Sequence, residues 1–264
     1  MSAMRRHSEA APPVQGSRGT CREGTSNGPA INLPGVPHDE IMSVAEWSRV
    51  LSKNLLAPFE RHDNRYRLGA RRLHVDCLED LLGNFDCRGG STLELGCGTG
   101  LDSVGLHERL GCSSGVLVDF CPEAVSIART NARGRDLEVV RSHVLDFATD
   151  RRFDVTFSVG LVEHFRGETL LRVLRKHGEF LRPHGRALVL APLRGWLWPL
   201  VRLLNSFSGI REEPPTKREI REVCLNAGFS VQSIKTYLFG IWVGALLEND
   251  EEGTGALPQF HPPV

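Results

Sequence analysis

Glu94, the glycines at 96, 98 and 100, Asp119 and His164 are the residues whose types and spacing suggest chemistry. From Thr92 an apolar run with Glu94 inside it breaks into glycine at every second position, through Gly100. A helical pattern follows, with Leu101, Val104 and Leu110 on one side. Strand, glycine turn and helix together let a backbone approach a ligand closely at a helix N-terminus. The glycine spacing restricts the ligand. A dinucleotide fingerprint is G-x-G-x-x-G, and position 101 here is Leu; no G-K-[ST] is present either. Glu94 has no part in gripping a pyrophosphate but suits a ligand that carries an ammonium group. Asp119 ends the next predicted strand, where an acid can accept both hydroxyls of a ribose. Phe120 beside it packs on a base or on the core. His164 follows the fourth predicted strand, and an imidazole of pKa near ~6.5 can take a proton from a hydroxyl or an amine.

The elements that must position these residues alternate between strand and helix, the sign of a parallel sheet. Strands are predicted at Ser91–Leu95, Gly115–Asp119, Leu137–Arg141, Phe153–Val159 and Arg186–Ala191. Helices are predicted from Pro122, from Gly167 to Leu181, and from the capping box Thr216-x-x-Glu219 to Gly228. Phe229–Leu238 and Ile241–Leu247 read as an antiparallel pair. Upstream, Ser43-x-x-Glu46 caps a helix running through Leu56, and a second helical pattern runs from Glu60 to Phe85. Its first part is dense in arginine, at 61, 65, 67, 71 and 72, either a solvated face or a cap over a cleft. Residues 1–38 are rich in Gly, Pro, Ser and Thr and read as a disordered tail. Residues 39–88 read as an N-terminal helical cap, 89–248 as the ligand-binding domain and 249–264 as a loose tail.

The stretch Glu94-Leu95-Gly96-Cys97-Gly98-Thr99-Gly100 resembles the first motif of the class I S-adenosylmethionine-dependent methyltransferases. Val116-Leu117-Val118-Asp119-Phe120-Cys121-Pro122 is similar to that family's second motif. The run Phe153 to Phe165 is similar to its fourth strand and exit, and Phe180-Leu181-Arg182-Pro183-x-Gly185 to the approach to its fifth. The resemblance covers roughly residues 89–248. It implies an α/β, Rossmann-like methyltransferase fold with a mostly parallel seven-stranded sheet flanked by helices. It implies S-adenosylmethionine held by Glu94, Gly96, Cys97, Gly98, Gly100, Asp119, Phe120, His143, Val144, Asp146 and Val159, with His164 as the catalytic base and no metal. One departure matters. Many members carry Gly-Asp after strand three, whose Asp accepts from the adenine amine; this chain has Ser142-His143, with Asp146 farther on. Asp146 or His143 takes that place, and Asp146 is favoured because a carboxylate accepts at any near-neutral pH. The backbone N–H near Val144 or Phe147 then meets the ring nitrogen.

Absent residues exclude neighbouring chemistries. Ser158-Val159-Gly160-Leu161 stands where amino-group methyltransferases of nucleobases carry [ND]-P-P-[YF], and no Pro-Cys nucleophile is present. A catechol-type metal site needs several carboxylates at this exit, and Glu163 reads as standing alone. Histidines elsewhere read as surface residues. The segment from Leu193 to Pro215, with Trp196, Trp198, Leu200, Leu203 and Leu204, reads as a lid suited to an apolar or aromatic small-molecule acceptor. RNA or protein docking through Arg61–Arg72, and a non-catalytic cofactor-binding subunit working with a partner, are the alternatives. The formal net charge of zero gives no whole-chain grip on nucleic acid, so DNA is not an expected partner. Seven cysteines without a C-x-x-C pair, no spanning apolar run and no secretory leader point to a cytoplasmic protein away from membranes. Oligomeric state is not written in the sequence.

Overall fold

The computed structural model describes residues 40–43, 45–47, 49, 65–200, 202–203 and 211–249, with 65–71 described as helical backbone only. The tails at 1–38 and 250–264, the Ser43 helix beyond residue 49, and the side chains of Arg61 to Arg71 lie outside these residues. Seven strands form one sheet: β1 (Ser91–Leu95), β2 (Ser114–Asp119), β3 (Leu137–Arg141), β4 (Phe153–Val159), β5 (Leu181–Pro192), β6 (Phe229–Tyr237) and β7 (Trp242–Asn249). Their order is β3-β2-β1-β4-β5-β7-β6. The first five run parallel, and β7 is antiparallel to both β5 and β6. The expected antiparallel pair therefore closes one edge of the sheet.

Helices α1 (Arg65–Leu82), α2 (Leu101–Leu110), α3 (Pro122–Asn131), α4 (Gly167–Glu179) and α5 (Lys217–Asn226) cover it. Alternation along the strands sorts the core into two layers. Val155 and Phe157 of β4 and Leu188 and Leu190 of β5 face Val75, Leu78 and Leu81 of α1. Ala187, Val189 and Ala191 face away from them, toward Leu174 of α4 and Ile220 and Cys224 of α5. The central strands are apolar on both faces, so they read as nearly continuous hydrophobic runs. Two local features follow sequence chemistry closely. Thr216 accepts from the Glu219 N–H while Glu219 accepts from the Thr216 N–H, the reciprocal cap that starts α5. Pro122 opens α3 at its first turn, where a missing N–H has no helical partner to lose.

β5 starts earlier than the Pro183-Gly185 turn would suggest. His184, at φ 62°, sits inside it, and the β4–β5 register shifts between Phe153 and Val155. A left-handed residue within a strand produces an irregularity that leaves the strand continuous. No helix among the described residues is long and apolar enough to cross a membrane.

The strand order reverses between β1 and β4. β2 and β3 lie to one side of β1, while β4 and β5 lie to the other. The loops leaving β1, β2, β3 and β4 therefore diverge around a crevice at the carboxyl end of the sheet, where ligands of such sheets bind.

Candidate active site

A cavity of ≈ 240 Å³ occupies this crevice. Its floor is the glycine turn. Gly96, Gly98 and Gly100 all have positive φ, at 72°, 52° and 71°. The three glycines answer to different constraints. A Cβ on Gly96 would lie 2.6 Å from the Leu161 side chain, so that side chain or the turn would have to shift. A Cβ on Gly98 would meet nothing, because this residue faces the opening. A Cβ on Gly100 would lie 2.7 Å from Leu117 and 3.2 Å from Ala128, so its bareness lets α2 seat against β2 and α3. Gly100 and Glu94 do not line the cavity. Glu94 is buried in β1 and accepts from the Ser103 hydroxyl of α2. The strand's pleat and the helix start turn both residues inward, behind the cavity lining.

Asp119, at the end of β2, joins the floor to the next wall. Its Oδ2 accepts from the Gly98 N–H at 2.8 Å and its Oδ1 from the Cys121 N–H at 2.9 Å. Burial raises its carboxyl pKa, opposed by these backbone donors. Each oxygen accepts from a backbone N–H and has a second lone pair for a ligand hydroxyl. Thr99 Oγ1, buried within the turn and bordering the cavity, has no hydrogen-bond partner, an orphan of the kind a ligand would satisfy. Phe120, Ser142, His143 and Val144 continue the wall, with the Phe120 and His143 rings 5.8 Å apart.

Neither expected adenine acceptor is available in the form anticipated. The Asp146 and Phe147 N–H groups bond back to the His143 carbonyl; in this turn Val144 and Phe147 are buried and Asp146 is exposed, outside the cavity. His143 does line the cavity. Its Nδ1 accepts from the Leu145 N–H at 3.3 Å, which leaves Nε2 carrying the hydrogen, with Glu40 Oε1 2.9 Å away. Nε2 makes no hydrogen bond, and the acceptor that stands beside it is Glu40.

The far wall comes from β4's exit and from a segment distant in sequence. Val159, Gly160, Leu161, His164 and Phe165 line it together with Glu40, Met42 and Trp47. Glu40 pairs with Phe165 in an antiparallel bridge, and the Ile41 N–H donates to the His164 carbonyl at 2.9 Å. Trp47 meets the His164 ring edge-on at 4.9 Å. Residues Glu40, Met42, Trp47, Thr99 and Asp102 were not singled out from the sequence. Only Thr99 carried a local signal, lying within the glycine motif. The described part of the expected lid, 193–200, 202–203 and 211–215, contributes no cavity-lining side chain; Trp196 is 77% exposed.

His164 stands in the 3₁₀ turn Val162–His164 and is 8% exposed. Its Nδ1 lies 3.1 Å from the Arg211 carbonyl, which can only accept, so Nδ1 carries the hydrogen and Nε2 the lone pair. Burial pushes its pKa down to about 4, against the pull of that carbonyl. Glu163, 2% exposed, does not stand alone as anticipated. Its side chain, His164 and Glu212 offer ligand atoms all within 4.8 Å of one another. Burial first, then the Glu212 charge, raises its carboxyl well above the ordinary range. His177 is another departure from the expected surface histidine: it is fully buried, bonding Val173 and Ser158.

Comparison with known proteins agrees with this geometry. Residues 92–185 match the family described as a methyltransferase domain. Over 243 residues the chain is 24% identical to a demethylmenaquinone methyltransferase of Oceanobacillus iheyensis, covering 80% of this chain and 95% of that protein. A protein from Pyrococcus horikoshii superposes with a TM-score of 0.63 at 18% identity, covering 75% of this chain and 99% of that one. The N-methyltransferase NodS from Bradyrhizobium japonicum, solved with S-adenosylhomocysteine, does so with a TM-score of 0.57 at 16% identity, covering 77% and 98%. A methyltransferase domain match over residues 92–185, laid over a 3-2-1-4-5-7-6 sheet and its glycine turn, supports a class I S-adenosylmethionine-dependent methyltransferase with a Rossmann-like fold.

Proposed function

We propose that this enzyme methylates a nucleophile, most simply a hydroxyl, on a small apolar or aromatic acceptor held against His164. The observation that carries this reading is the wall that holds His164: Met42, Trp47, Leu161 and Phe165 line the same cavity with apolar surface, Trp47 against the imidazole itself. The relative from Oceanobacillus iheyensis is named for demethylmenaquinone, a quinone, which agrees with such a wall. S-adenosylmethionine supplies a methyl already activated on a sulfonium. On this reading Asp119 takes the two ribose hydroxyls, and Phe120 and Val144 pack on the adenine. Glu40, rather than Asp146 or His143, accepts from its amine.

The remaining task of the protein is to hold the acceptor oxygen in line with the methyl carbon. As the O–CH₃ bond forms and the S–CH₃ bond breaks, the sulfonium's electron pair returns to sulfur. The proton on the increasingly cationic oxygen moves to Nε2 of His164. A base of pKa about 4 is too weak to deprotonate a neutral hydroxyl beforehand. It suffices as methylation makes that oxygen strongly acidic, so the proton moves to Nε2 within the same transition state, behind the forming O–CH₃ bond.

The test is methyl transfer from methyl-labelled S-adenosylmethionine to a panel of phenols and quinols, run beside total RNA and a protein extract. Label on the small aromatic acceptors is the expected result. Label confined to RNA or protein would transfer the reading to macromolecular substrates. Tight cofactor binding with no transfer in any arm, restored by a partner protein, would make the chain a cofactor-binding subunit.

A further inference from the structure

Glu163, His164 and Glu212 form a cluster at the β4 exit that the methyl-transfer reading uses only through one imidazole nitrogen. Their ligand atoms lie within 4.8 Å of one another, two of the three residues being buried. Glu163 is the informative member. It is 2% exposed, and its Oε2 has no hydrogen-bond partner. Its Oε1 lies 3.9 Å from His164 Nε2. An isolated carboxylate removed from water is costly, and a second carboxylate beside it adds repulsion. The His164 ring is turned so that Nδ1–H is spent on the Arg211 carbonyl, leaving the Nε2 lone pair for the cluster. A backbone carbonyl on the distal nitrogen is how metal-binding histidines are oriented.

From this geometry we infer that Glu163, His164 and Glu212 are the protein ligands of a divalent first-row cation. Two carboxylates and one neutral imidazole compensate a 2+ charge. The nitrogen donor favours manganese, cobalt or zinc over magnesium, which prefers oxygen alone. Bonds of about 2.0–2.3 Å set donor atoms roughly 3.0–3.5 Å apart, so the present cluster needs only a modest contraction. The surroundings already hold the two ligand-bearing segments together: the Glu213 N–H donates to the Glu163 carbonyl at 2.9 Å, and Arg166 pairs with Glu213.

His164 Nε2 has one lone pair. A bound ion would occupy it, so metal-loaded protein would no longer offer Nε2 to the acceptor's proton. The inference goes beyond the proposed methyl transfer and does not depend on it, because ion binding requires no methyl donor.

The test uses the full chain, stripped with chelator and freed of it, titrated with Mn²⁺ under electron paramagnetic resonance and with Zn²⁺ by calorimetry. One equivalent of saturable binding is expected in the wild type. In Glu163→Gln and in Glu212→Gln the affinity should fall at least ~10-fold. Glu212 is only half-buried, so the second variant reports on the site even where the first folds poorly. No stoichiometric binding by folded wild type, or equal binding by wild type and Glu212→Gln, overturns the assignment. S-adenosylmethionine affinity measured on the same samples tests the cofactor reading separately, so either can fail alone.

Discussion

The two walls of the cavity are built in opposite ways. The wall of the glycine turn, Asp119 and Val144 is made of loops that leave neighbouring parallel strands, and much of it is backbone: the Gly98 N–H reaches the Asp119 carboxylate directly. The wall around His164 is made of side chains gathered from Glu40 to Trp47 and from the β4 exit, with the Arg211 carbonyl fixing the imidazole. The first wall is fixed as soon as the sheet forms. The second exists only when segments far apart in sequence meet. A backbone-built wall tolerates side-chain change except where a Cβ collides or a charge is lost. A side-chain wall depends on each residue's identity and can vary with the acceptor.

Two buried histidines sharpen the contrast. Burial pushes both His164 and His177 down to about 4. In His177 both nitrogens are satisfied, by the Val173 carbonyl and the Ser158 hydroxyl, each at 3.0 Å, so it is structural. In His164 one nitrogen is satisfied and the other stands toward Glu163 at the cavity wall.

The largest expected effect tests that second nitrogen. His164→Gln should lower turnover by ~10²–10⁴ while the affinity for S-adenosylmethionine stays unchanged, read from steady-state kinetics beside calorimetry. Unchanged turnover would reduce His164 to a packing residue. Next comes the floor. Gly96→Ala combines a positive φ with a Cβ 2.6 Å from Leu161, and should destabilise the fold by about 2–4 kcal/mol in chemical denaturation.

Acidification tests the core histidine. The folded pKa of His177 is depressed, so between pH ~6.5 and ~4 the unfolded chain binds a proton that the folded chain refuses. Its stabilising contribution is whole above pH ~6.5, declines as the pH falls, and has lost at most about 3 kcal/mol by pH ~4. Denaturation across that range should show the slope, and His177→Gln should flatten it; equal slopes in the two proteins would refute the assignment. Asp119→Ala should weaken S-adenosylmethionine binding by about 2–3 kcal/mol through lost charged hydrogen bonds, and calorimetry showing unchanged affinity would remove it from the ribose. The smallest effect is at the open glycine. Gly98→Ala has the strained φ of 52° without a collision, and should cost only about 1–2 kcal/mol of stability. A loss as large as that of Gly96→Ala would mean that the turn fails through backbone strain alone.

Much of the architecture was legible in the residues. The spans of β1, β3 and β4, the reciprocal cap at Thr216, the proline start of α3 and the antiparallel closing pair follow from local pattern, because hydrophobic period and turn chemistry act over a few residues. The cavity contact of Gly98, Asp119 and Phe120 follows similarly, since a strand's end fixes where the next residue emerges. The inward turn of Glu94 and Gly100 was not legible. Which face of a pleat or helix meets its neighbour is decided by packing, and the same motif letters serve either side.

The sequence by itself determined the alternation of elements and the ligand-bearing end of the sheet, which arise from short-range spacing, and its glycine turn carried the resemblance that implied the methyl donor. Only the tertiary structure decided that Glu40 rather than Asp146 stands beside His143, that Glu163 has Glu212 for company, and that Trp47 packs on His164. Those contacts join residues whose separation along the chain leaves no periodic trace. Their energy comes from burial shared by several segments at once, and no single segment records it.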